Sequence, residues 1–138
     1  MSLSNWYIQQ FDETLSEKLI ESDGISEIDL HTLLGGEQVP RSLYEYYRVA
    51  GRHWMNSNFE RLLAPDQLRC EGDYLVFMDE NQNVGQWGFR RDEALDLDPY
   101  VYCGIWNKGE LVWYAEEKSL SQFIISMWLE TCTGGDPW

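Results

Sequence analysis

The stretch that most constrains the fold is Tyr74 to Phe89, YLVFMDENQNVGQWGF, in which two apolar runs flank the polar residues Asp79 to Asn83. Side chains of a strand alternate between faces, so Tyr74, Val76 and Met78 would share one face and Leu75 and Phe77 the other. A strand apolar on both faces belongs in the middle of a sheet, covered above and below. Asp, Asn and Gly tolerate the left-handed backbone that a turn needs, and alternation resumes at Gly85 to place Trp87 and Phe89 on one face. The stretch is therefore expected to be a β-hairpin.

Upstream, Ile8, Phe11, Leu15 and Leu19 recur at helical spacing, which predicts a helix from Asn5 to about Ser22. Ser26 can cap a second helix through the amide of Asp29, with Ile25, Ile28 and Leu33 as its apolar contacts and Gly35 and Gly36 as its end. Pro40 suits the start of a third, along which Leu43, Tyr46, Tyr47 and Ala50 form one face. Arg52 to Asp73 reads as a connector pinned by Phe59, Leu62, Leu63 and Leu68. Tyr100 to Trp106 and Leu111 to Ala115 make a second hairpin around Asn107 to Glu110. A final helix is expected behind a Ser119/Gln122 capping box, with its end at Gly134 and Gly135 and a loose tail to Trp138. Helices and strands are grouped rather than alternating. That order predicts one α+β domain over residues 1–138, with a twisted antiparallel sheet of four or more strands against about four helices.

Ten basic residues against 24 acidic ones give a net charge of −14, with acids concentrated near the N-terminus and around the first hairpin. Such a surface repels a phosphate backbone, so nucleic acid is not an expected partner, whereas a basic protein is. With no apolar run of spanning length and no signal-type leader, no membrane partner is expected and the location is expected to be cytoplasmic. Cys70, Cys103 and Cys132 fit no metal spacing and read as reduced, buried thiols.

Catalytic signals are thin. Asp79, Asn81 and Asn83 have the first three spacings of a calcium loop, but Val84 stands where Gly is required and Arg90 where Glu is required, so no metal is expected. Phosphate-loop, dinucleotide and nucleophile-elbow patterns are missing, and no cofactor is expected. Adjacent carboxylates such as Asp79 and Glu80 leave a small hydrolase as a minor alternative. The aromatics carry more information. Seven Trp, eight Tyr and five Phe are heavy for this length and most must be core, but Trp87, Trp106 and Trp113 lie on strands whose faces four helices cannot all cover. Asp79, Glu80, Asn81, Gln82, Trp87 and Trp106 are accordingly the candidate partner-binding residues.

Five segments taken in order, VPRSLYEYYRVAG (Val39 to Gly51), FERLLAPDQL (Phe59 to Leu68), the Tyr74 to Phe89 hairpin, the Asp98-Pro99-Tyr100-Val101 step and SLSQF (Ser119 to Phe123), resemble the SMI1/KNR4 family, also called the SUKH superfamily. The resemblance spans about residues 25 to 130. Gly51-Arg52-His53-Trp54 departs from the Gly-Gly or Asn-Gly step often seen after the Pro-led helix. The resemblance implies an α+β fold and a binding role. Many bacterial members are immunity proteins that neutralise a cognate toxin, often a nuclease, while eukaryotic members serve as regulatory scaffolds. An immunity protein acting on a basic toxin domain is therefore the leading expectation, and a scaffold without a toxin partner the alternative.

Overall fold

A computed structural model describes residues 1–132. Four helices, α1 (Leu3–Glu13), α2 (Glu27–Leu34), α3 (Arg41–Ala50) and α4 (Leu120–Cys132), accompany six strands. The strands are β1 (Arg61–Leu62), β2 (Arg69–Glu71), β3 (Tyr74–Asp79), β4 (Gly85–Arg90), β5 (Tyr100–Asn107) and β6 (Glu110–Ser119). They form one antiparallel sheet in the order β1-β3-β4-β5-β6, with β2 sharing the β1 side of β3. The fold is α+β, as the grouping of elements predicts.

β3 is the centre of the sheet's covered half. It pairs with β1 and β2 along one edge and with β4 along the other. Its alternation is reset by a bulge: Val76 faces Gly88 and Met78 faces Trp87, leaving Phe77 as the extra residue. Phe77 and Met78 therefore both turn to the helical side, and Phe77 meets Phe89 and the edge of Phe123 on α4 at centroid distances of 6.2 and 6.0 Å. The expectation that Met78 shares a face with Tyr74 and Val76 fails for this reason.

On the helical side the core joins Tyr7 and Phe11 of α1, Leu43, Tyr46 and Tyr47 of α3, and Phe123, Ile124 and Trp128 of α4 to Leu75, Phe77, Phe89 and Val101 of the sheet. Each large apolar side chain buried this way contributes about 1.5–3 kcal/mol. The buried polar tips are paired: Trp128 Nε1 donates to Tyr46 Oη (2.7 Å), Tyr46 Oη donates to Asn56 Oδ1 (2.6 Å), and Asn56 Nδ2 donates to the Ala50 carbonyl (2.7 Å). Tyr46 is pushed well above its ordinary pKa by burial and stays a neutral donor.

The other face of the sheet is paved by rings. Gly104 has no side chain, and a Cβ there would sit 2.9 Å from the indole of Trp113. The indole thus lies close over the backbone and stacks on Tyr74, three strands away, at 4.1 Å and 20°. Tyr102 meets the same Tyr74 edge-on.

Several boundaries differ from expectation. α1 stops at Glu13 because Ser16 adopts a left-handed conformation (φ 56°) and the Glu17 amide turns back to the Phe11 carbonyl (2.7 Å). Ile8 is 42% exposed while Tyr7 is buried in its place. Ser26 caps α2 through the Asp29 amide at 3.1 Å, but Leu30 rather than Ile28 is the buried contact, Ile28 being 80% exposed. The Arg52 to Asp73 connector contains β1 and β2. At α4 the cap comes from Asp98, whose carboxylate accepts from the Ser121 amide (3.0 Å) and hydroxyl (2.7 Å), while Ser119 still belongs to β6. The expected end at Gly134 and Gly135 and the tail to Trp138 lie outside the described residues.

Candidate functional site

The turn between β3 and β4 is built from carboxylates. Glu80 Oε1 accepts from the amides of Gln82 (2.8 Å) and Val84 (3.2 Å), and Glu60 Oε2, arriving from the segment before β1, accepts from the Asn81 amide (3.1 Å). Asn83 takes positive φ (61°) to let the chain return. Inward-facing amides and a positive φ make a small anion cradle, filled here by the protein's own side chains.

Beside this turn lies a groove of about 630 Å³. Its wall and floor bring together Phe59, Trp87, Cys103, Ile105 and Met127, with Glu60, Glu80 and Glu130 among the polar groups. None of its described lining residues is Lys, Arg or His. Trp87 is 8% exposed and fixed in orientation by its indole N–H, which donates to Glu116 Oε2 at 2.7 Å. Around it Phe59 and Ile105 are each 44% exposed, a concentration of uncovered apolar surface next to carboxylates. Volume and lining suit a ligand or partner segment that is apolar along its length and positively charged at one end.

Electrostatics reinforce that description. Burial raises the pKa of Glu60, the Asn81 amide pulls it back, and Glu80 and Glu130 raise it again. The Cys103 thiol is pushed up to about 11 by burial and by the Glu116 and Glu80 charges, so it stays protonated and unreactive at neutral pH. All three cysteines are free, but Cys70 and Cys132 are exposed rather than buried.

The six candidate residues do not form one site. Glu80, Asn81, Gln82 and Trp87 line the groove. Asp79 turns to the opposite face of the sheet, where its carboxylate is nearly covered and held by Arg69 (2.6 Å) and Arg61 (3.1 Å); Arg69 also donates to Gln86. Burial opposes ionisation of Asp79, yet the hydrogen bonds from Arg69 and Arg61 outweigh it and keep the carboxyl below its usual range. Trp106, 53% exposed, sits on that same opposite face, its register partner being Leu111. Asp79 and Glu80 are thus neighbours in sequence that serve opposite faces, one in an ion pair and one in a turn. As groove residues, Glu60, Met127 and Glu130 are missed by sequence reasoning, as is Phe59, which is expected to pin the connector and instead is 44% exposed. A glutamate set directly between Phe59 and Arg61-Leu62-Leu63 was a signal for Glu60, whereas nothing local marks Met127 and Glu130.

A larger groove of about 790 Å³ runs between α1 and α3, but Arg48 and Arg52 line it and are already engaged, with the Ile25 carbonyl and with Asp29. Among the described residues no cluster of three or more His, Cys, Asp or Glu side chains could hold a metal, and no helix is long and apolar enough to cross a membrane. Comparison of the chain with family models, with curated proteins and with solved structures returns no match.

Proposed function

We propose that this chain is a non-catalytic, cytoplasmic protein-binding domain of the SMI1/KNR4 type, an immunity protein that neutralises a basic bacterial toxin domain. The observation that carries this reading is the groove beside the β3–β4 turn, apolar on its floor, bordered by Glu60, Glu80 and Glu130, and with no basic residue among its described lining. A chain of net charge −14 draws a basic partner in over distances beyond contact, and the buried Trp87 with Ile105 and Met127 then supplies apolar area that charge alone cannot.

The test is a search of the flanking genes for a toxin-type product, followed by co-expression with it. A stoichiometric complex and restored growth are expected, with affinity falling steeply between about 0.05 and 0.5 M salt as exposed charges are screened. A product that is neither bound nor neutralised overturns the proposal.

A further inference from the structure

We infer that the groove beside the β3–β4 turn is a receptor for an arginine side chain presented between apolar residues of the partner. The inference rests on the protein-binding reading above and deepens it by naming what the partner inserts.

Glu60 is 6% exposed, yet it reaches the groove with one oxygen committed to the Asn81 amide. Glu80 and Glu130 lie near enough that each disfavours its charge. Glu60, Glu80 and Glu130 thus line one cavity with Phe59, Trp87, Ile105 and Met127, and none of the described lining residues is a cation. A positive group placed there relieves the mutual repulsion and replaces water lost from Glu60.

Arginine meets the geometry better than lysine. Its planar guanidinium is weakly hydrated, lays its faces on apolar and aromatic side chains, and directs N–H groups outward in a fork that can serve more than one carboxylate. An ammonium is compact and strongly hydrated, and it loses more on entering a groove floored by an indole and aliphatic side chains. Apolar neighbours of the arginine would cover Ile105 and Phe59, each nearly half exposed.

Three blocked peptides serve as probes, acetyl-Leu-Arg-Leu-amide and its lysine and citrulline counterparts, titrated into the ¹⁵N-labelled full chain. The arginine peptide is expected to shift the Trp87 indole N–H and the amides of Asn81, Gln82 and Val84, with lysine about fivefold weaker and citrulline giving no saturable shift. Glu60→Gln should weaken the arginine peptide about tenfold. Glu130→Gln, which leaves the turn's hydrogen bonds intact, should weaken it about threefold and keeps the test alive if the first variant does not fold. Equal binding by citrulline or lysine, or shifts that map to the Tyr74–Trp113 face, overturns the inference. A toxin partner that binds Glu60→Gln as tightly as wild type defeats the arginine assignment alone. Arginine-specific shifts without any toxin partner defeat the immunity reading alone.

Discussion

The sheet contains two hairpins that share a topology and little else. In β3–β4 both strands are buried over most of their length, β3 has neighbours on both edges, and the turn is tied down by Glu60 and Glu80. In β5–β6 most side chains beyond Gly104 are exposed or half-exposed, and among the described residues β6 pairs only with β5. Its turn is the two residues Lys108 and Gly109, both at positive φ (54° and 83°), the geometry that matches strand twist with no outside help. One hairpin is held by its surroundings and the other by its own turn. The groove lies where the first hairpin meets the inner side of the second, which explains how it can have a rigid floor and an open rim.

That contrast can be broken from the side of the buried hairpin first. Phe77→Ala removes the ring between Phe89 and Phe123 and is expected to cost about 3–5 kcal/mol in denaturant unfolding, against less than about 1 kcal/mol for Ile105→Ala on the open hairpin. Equal losses at both positions would refute the distinction. Asp79→Asn comes next, at about 1–2 kcal/mol at neutral pH, discounted because Arg61 and Arg69 are about half exposed. Since the folded Asp79 pKa is depressed, its stabilisation is complete above the unfolded value near ~3.9 and disappears as pH falls through the folded value. Wild type and Asp79→Asn should therefore converge in urea midpoint as pH falls through the depressed folded value, and parallel curves would contradict the ion pair's role.

The open hairpin should respond to its turn. Gly109→Ala, forced into positive φ, is expected to cost about 1 kcal/mol, with amide exchange accelerated in β5–β6 and unchanged in β3–β4. The smallest effect has the opposite sign. Glu60 carries a raised pKa, so its ionisation opposes folding as pH rises through the carboxylate range, and Glu60→Gln should gain less than about 1 kcal/mol at pH 7. A loss of 2 kcal/mol or more would show that the Asn81 contact needs the charge.

What could be read from the chain beforehand divides along similar lines. The hairpins, the α3 face and the Ser26 cap depend on residues within a few positions of one another, where periodicity and capping chemistry act directly. The Phe77 bulge depends on where β4 pairs, and two- and three-residue strands such as β1 and β2 carry no period to detect. At the groove, Glu80 to Gln82 and Trp87 come from one marked stretch, but the buried carboxylate of Glu60 and the far wall of α4 arrive from about 20 residues before it and 40 after. Asp79 and Trp106 were separated from the others by strand parity, since each falls on the alternate face from Trp87.

The hydrogen bond from Trp128 to Tyr46 spans 82 residues of chain, and through Asn56 it fastens α4 to the segment that follows α3. During synthesis α3 leaves the ribosome long before α4, which packs on it, so Tyr46 and Phe123's sheet partners wait uncovered until residues 120–132 emerge. The last described helix is therefore the step that commits the chain, and premature termination anywhere before it leaves a product with an open core and a ready path to aggregation or degradation.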